Sequence, residues 1–236
     1  DFVGSQDAGV GPFPVEVMAV SPVLKLRVDE HLPVVARGLA AILEPGTELV
    51  IWERTLPSRF TTWITEMDDA NLPDFRVLVR PRDTRASLLP LLNENGLPNS
   101  EMRDLLIDDI SGLAETFSDV TESELVDIRL ERIDHDACWK FHRDTVEVRL
   151  LTTYLGPSTE WVPTDHAEEA LAQQKDYSGP LERLRKDSVA LFKGKLAGTD
   201  NGTVHRSPPI IGSGQTRLFL CLNKHSGTSP DLLVLG

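Results

Sequence analysis

His142 and Asp144 stand two residues apart in the segment Phe141-His142-Arg143-Asp144. In an extended strand, residues i and i+2 point to the same side. This spacing therefore sets an imidazole and a carboxylate on one face. Such a pair is two thirds of a facial metal site, which a second histidine from a distant strand completes while leaving positions open for ligands. Six histidines are available: His31, His135, His142, His166, His205 and His225. His205 is the best placed. It follows the apolar run Ser188–Lys193 and a Gly-rich turn, and it precedes Ser207-Pro208-Pro209.

Two arginines add to this set. Arg217 opens the otherwise apolar stretch Leu218-Phe219-Leu220-Cys221-Leu222. A buried arginine needs a partner, and its fork suits bidentate capture of a carboxylate. Either an internal salt bridge or an acidic cosubstrate meets that need. Arg149, inside TVEVRLLTTYL, poses the same question. In an unbroken strand its parity opposes that of His142 and Asp144, so it reaches their face only if the chain bends after Asp144. Tyr154 shares the parity of His142; it belongs either to the core or to a ligand pocket. Glu147, Thr152 and Ser207 are candidates for fixing the imidazoles.

Cysteine offers a rival chemistry. Cys138 precedes His142 by four residues, a spacing compatible with two zinc ligands if the chain turns between them. Cys138, His142, Asp144 and His205 would then form a closed zinc site. Cys221, in an apolar strand, reads as core. There is no Gly-x-Ser-x-Gly elbow, P-loop or dinucleotide fingerprint.

The elements that must position these residues differ between the two halves of the chain. Residues 1–28 are rich in Gly and Pro and read as an extended arm. Residues 29–134 form a mixed, largely helical portion. Helices are expected over 30–43, 58–69, 83–93 and 100–117, with Asn99 or Ser100 as the cap of the last, and strands over 48–53 and 75–80. Val126, Ile128 and Leu130 alternate with Asp127, Arg129 and Glu131, the pattern of a half-buried strand. Residues 135–236 carry many short strands between Gly/Pro turns: 145–155, 160–162, 188–193, 202–205 and 215–223, with a short helix at 165–174. The expected class is α+β: a helical N-terminal portion packed on a C-terminal β core, together one compact unit.

Composition limits the functions available. The chain has 236 residues, and its 24 Lys+Arg against 37 Asp+Glu give a formal charge of -13. A 40% hydrophobic fraction supports a real core. The charge argues against nucleic acid and against an anionic membrane surface as partners. The twelve Asp/Glu between Asn99 and Asp136 read as a solvated helix face or as a docking surface for a basic partner. No stretch approaches a transmembrane span, and no signal peptide is visible, so a cytoplasmic location is expected. Two cysteines exclude a disulfide scaffold.

The ordered set His142-x-Asp144, Arg149 to Leu155, Ala190-Leu191-Phe192, His205 and Gly214-x-x-Arg217 resembles the Fe(II)/2-oxoglutarate dioxygenases, above all their prolyl-hydroxylase and nucleic-acid-demethylase branches. The resemblance spans about Cys138 to Asn223 and implies a double-stranded β-helix, the cupin-like jelly roll. It implies His142, Asp144 and His205 as iron ligands and Arg217 as the anchor for the distal carboxylate of 2-oxoglutarate. Tyr154 would be a second contact to that carboxylate. The substrate would be a small molecule or a protein side chain. The Gly-Gly-Glu-Thr turn of the prolyl-hydroxylase branch is replaced here by Gly156-Pro157-Ser158-Thr159-Glu160-Trp161. Taken whole, CWKFHRDTVEVRLLTTYLGPSTEWVP and the later VHRSPPI and TRLFLCLN resemble a bacterial family of unknown function. That resemblance implies a metal context, with zinc as the alternative ion and a metal-handling protein as a partner.

Overall fold

The computed structural model describes residues 22–27, 32–198 and 202–235. His31 and most of the expected arm lie outside them. Among the described residues, fifteen helices and strands follow one another: β1 (Val23–Arg27), α1 (Leu32–Leu39), β2 (Leu49–Glu53), α2 (Ser58–Glu66), β3 (Phe75–Val79), α3 (Thr84–Glu94), α4 (Glu101–Thr121), β4 (Val126–Ile133), β5 (Val148–Leu155), β6 (Glu160–Trp161), α5 (Ala167–Gln173), β7 (Glu182–Arg183), β8 (Val189–Lys193), β9 (His205–Arg206) and β10 (Arg217–Lys224).

The longest helix shows why these residues fold as they do. In α4, Leu106, Ile107, Ile110, Leu113, Ala114 and Phe117 recur at helical spacing and are all buried. Ser100 Oγ accepts the Arg103 amide at 3.1 Å and caps its first turn. The helix runs past the expected end at Phe117 because Val120 and Thr121 are also buried, and it stops where Glu122 turns left-handed.

Seven strands form one mixed sheet in the order β1-β2-β8-β5-β10-β4-β3, and three short strands form a second, β7-β6-β9. β1 pairs parallel with β2, and the other pairs of the large sheet are antiparallel. The end of the expected arm is therefore an edge strand. The sheet also crosses the change of texture near Asp134. Its centre, β8-β5-β10, comes from the second half of the chain, and both flanks come from the first. The N-terminal portion supplies three strands of the sheet, β2, β3 and β4, and the arm a fourth, β1.

The central strands of the large sheet divide their side chains between two cores. Val50, Val77, Val126, Ile128, Leu130, Leu150, Leu191, Leu218, Leu220 and Leu222 pack against α1 to α4. Leu49, Ile51, Leu151, Phe192 and Cys221 point the other way and pack under Trp161 and Leu184 of the small sheet. The order of layers is helices, large sheet, small sheet. Among the described residues no helix is long and apolar enough to cross a membrane.

Candidate metal centre

His142 and His205 meet because their backbones pair. Each donates its amide to the carbonyl of the other at 3.0 Å, an antiparallel bridge that extends the small sheet beyond β9. Residues directly opposite in such a bridge present their side chains on one face, and the two ring centroids are 4.6 Å apart. Asp144, two residues on, joins them. His142 Nε2 lies 3.6 Å from Asp144 Oδ1, and His205 Nε2 lies 3.4 Å from Asp144 Oδ2. One ligand atom from each residue falls within 4.8 Å of the other two. Donors held 2.0–2.2 Å from a common ion stand about 3 to 3.5 Å apart, so one divalent ion fits with small side-chain adjustments.

The tautomers are also set. His142 Nδ1 is 2.8 Å from the Lys140 carbonyl, and His205 Nδ1 is 3.0 Å from that of Thr203. A carbonyl only accepts, so each Nδ1 carries the proton and each neutral ring keeps its lone pair on Nε2. Backbone carbonyls two residues upstream thus orient both rings, a role considered above for Glu147, Thr152 and Ser207. Of those three, Glu147 pairs with Lys224 at 2.8 Å, and Ser207 receives Arg217 Nη1 at 2.6 Å. Buried Thr152 Oγ1 has no hydrogen-bond partner among the described residues.

Asp144 is buried, and its Oδ2 has no hydrogen-bond partner among the described residues. Burial alone would raise its carboxyl; the close imidazoles of His142 and His205 and the charge of Arg149 outweigh it and hold the group well below the usual carboxylate range. Burial likewise opposes the charge of His142, yet its contacts with Asp144 and the Lys140 carbonyl push its imidazole up. The site is therefore built around an ionised carboxylate and favours cations next to it.

The chain bends at 145–147 before β5 begins, and this bend decides where Arg149 and Tyr154 go. Arg149 comes round to the Asp144 side and donates to Asp144 Oδ1 at 2.6 Å. By the same shift Tyr154 points to the opposite face. It lies fully buried against the helices, its hydroxyl donating to Asp109 Oδ2 at 2.6 Å. Tyr154 is not a ligand-pocket residue: the parity argument assumed an unbroken strand, and three bent residues reverse it. The bend is held by the loop after β8, where the amides of Gly194, Lys195 and Leu196 donate to the carbonyls of Glu147, Asp144 and Val146 at 2.8–3.0 Å. A Cβ on Gly194 would come within 2.7 Å of the Asp144 carbonyl and closer still to that of Val146.

A cavity of about 730 Å³ opens beside the three donors. His142, His205, Arg149 and Leu151 line it with Phe219, Cys221 and Asn223 of β10 and Arg129, Glu131 and Ile133 of β4. The polar side of the alternating β4 pattern therefore faces this cavity. Cys138 is exposed and lines the same cavity, but its sulfur is not among the three clustered donors. Its backbone is left-handed, with φ 50°, so the chain does turn at 137–138, before His142. Arg217 is fully buried and does not itself line the cavity, although Ser207, which accepts from its Nη1, and Phe219, whose ring it covers at 5.1 Å, both do. Its Nε and Nη2 have no partner among the described residues. Burial lowers its guanidinium to about 10, with Glu131, Cys138 and Glu160 pulling the other way.

A protein-family model described as "Protein of unknown function (DUF1826)" matches residues 35–223. The chain belongs to this family. No curated protein matches it. Solved structures that it resembles overall include Fe(II)/2-oxoglutarate oxygenases. A Pseudomonas putida prolyl-4-hydroxylase is 10% identical, with 81% of this chain and 99% of that chain covered and a TM-score of 0.41. A putative 2OG-Fe(II) oxygenase family protein from Caulobacter crescentus is 11% identical, with 91% and 90% covered and a TM-score of 0.43. A full-length Neurospora crassa protein solved in complex with alpha-KG is 14% identical, with 94% and 88% covered and a TM-score of 0.39.

Proposed function

We propose that this chain is an Fe(II)- and 2-oxoglutarate-dependent oxygenase of the hydroxylase type, its two facing sheets forming a double-stranded β-helix core. The observation that carries the reading is the convergence of two Nε2 lone pairs and one unpartnered carboxylate oxygen beside a single cavity. Two histidines and one carboxylate with neighbouring positions left open are the donor set of non-haem Fe(II) oxygenases. Iron bound by His142, Asp144 and His205 would supply the open positions at which a 2-oxo acid and O₂ meet.

The chain's own groups do the rest. The Lys140 and Thr203 carbonyls keep both imidazoles in the metal-ready tautomer. Arg217 offers two unpaired donors for a distal carboxylate, and its charge is already desolvated, so a carboxylate that reaches it gains a strong pair. Apolar side chains in the cavity wall, among them Leu151, Phe219, Ile133 and Val148, exclude water. The substrate is a small molecule or a protein side chain: a net charge of -13 repels nucleic acid.

A second reading is a non-catalytic, cupin-like metal protein of zinc homeostasis, partnered by a metal-handling protein. Two observations favour it: Arg217 does not line the cavity, and Cys138 does. One anaerobic experiment separates the two. Fe(II) and then 2-oxoglutarate are added to the metal-free protein while the visible spectrum is followed. A charge-transfer band that requires both components is expected. No band, with tight zinc binding instead, would transfer the reading to the metal protein.

A further inference from the structure

The two oxygens of Asp144 are used differently. Oδ1 lies 3.6 Å from His142 Nε2 and is already engaged, accepting from Arg149 Nη1 at 2.6 Å. Oδ2 is buried, has no hydrogen-bond partner among the described residues, and faces His205 Nε2 at 3.4 Å. Arg149 is itself held. Its Nε donates to Asn223 Oδ1 at 2.7 Å, across the ladder position at which Asn223 faces Arg149. The Asn223 Nδ2 in turn rests on Cys221 Sγ at 3.3 Å. A guanidinium fixed at both ends is a rigid fork, and it occupies one carboxylate oxygen.

We propose that Arg149, locked by Asn223, is a positioning residue that confines Asp144 to a single metal-facing oxygen, Oδ2. This rests on the metal-centre reading above and deepens it. A carboxylate free to use both oxygens would take one of the positions that a 2-oxo acid and O₂ need. With Oδ1 engaged, an ion would be held by one atom each from His142, Asp144 and His205, leaving its other positions for ligands. Of the two roles open to Arg149, an internal salt bridge or capture of an acidic cosubstrate, the Asp144 pair makes it the first, and Arg149 acts on the metal through Asp144. Nothing in the sequence marks Asn223, because a lone asparagine near a strand end belongs to no motif.

Manganese(II) is a suitable probe, because the water-proton relaxivity of the bound ion counts its coordinated waters. The full chain is stripped of metal, loaded with Mn(II), and compared with Arg149→Met and Asn223→Ala, folding being checked by circular dichroism. In Arg149→Met the freed Oδ1 is expected to displace one of three waters, lowering the relaxivity of bound Mn(II) by about one third. Asn223→Ala keeps the guanidinium but unlocks it, so a smaller fall in the same direction is expected; it also decides the matter if Arg149→Met does not fold. Parent relaxivity in the folded variants would overturn the proposal. So would loss of Mn(II) binding in the variants, because Arg149 would then hold the site together rather than select an oxygen. Failure of the parent itself to bind Mn(II) would overturn the metal-centre reading, and that result is seen before any variant is made.

Discussion

His142→Ala and His205→Ala each remove one of three donors, so metal content measured by elemental analysis should fall to background in both. Unchanged content in either would remove that residue from the ligand set. Arg217 carries a different burden. It is buried with two donors unpaired, and an unsatisfied buried donor costs about 1–3 kcal/mol. Arg217→Met keeps the bulk and removes that cost. The metal-free variant should therefore be at least as stable as the parent in urea unfolding, while 2-oxoglutarate binds at least about tenfold more weakly because a charge-assisted pair is lost. A strongly destabilised variant would show that Arg217 is an ordinary structural arginine. Arginine in an apolar strand was legible as a question in the sequence. That no described residue pairs with its Nε and Nη2 was not, because pairing depends on what distant segments bring near.

At the scale of elements, the bend at 145–147 matters most. It puts Arg149 on the metal side and Tyr154 on the helical side, and Gly194 permits it by letting the β8 loop lie against the Asp144 and Val146 carbonyls. Gly194→Val should displace Asp144 and weaken metal binding while the helices keep their circular-dichroism signal; parent-like affinity would show that the bend tolerates the side chain. On the other face, Asp109 of α4 accepts from both Arg54 and Tyr154 and ties the helical layer to β5. The two thiols test the layer assignment. Burial pushes the Cys221 thiol up to about 11, and Cys138 is exposed. In the native protein near pH 8, iodoacetamide should modify Cys138 alone, and Cys221 only after unfolding. Rapid modification of Cys221 would contradict its place on the sheet face under Trp161.

At the scale of the molecule, the sheet interleaves the two halves of the chain. β8, β5 and β10 lie between β2 on one side and β4 on the other. A fragment of residues 135–236 would expose both flanking edges and the apolar row Leu218, Leu220 and Leu222. It should fail to give a cooperative unfolding transition, whereas a cooperative one would mark residue 134 as a domain boundary. The α+β class, the helix α4 with its cap at Asn99 or Ser100, and the His142-x-Asp144 pair could all be read before any packing was known, with His205 the best placed of six histidines to join the pair. The class, the helix and the His142-x-Asp144 pair depend on local periodicity, capping and two-residue spacing, which are written in adjacent positions; that His205 meets them rests on a backbone bridge that only the packed molecule shows. The flanking role of β1 to β4, the side on which Arg149 and Tyr154 emerge, and the Asn223–Arg149–Asp144 chain came only from the packed molecule. Each of these depends on a bent segment or on hydrogen bonds between residues dozens of positions apart, and a single displaced residue in a strand is enough to reverse which face a side chain meets.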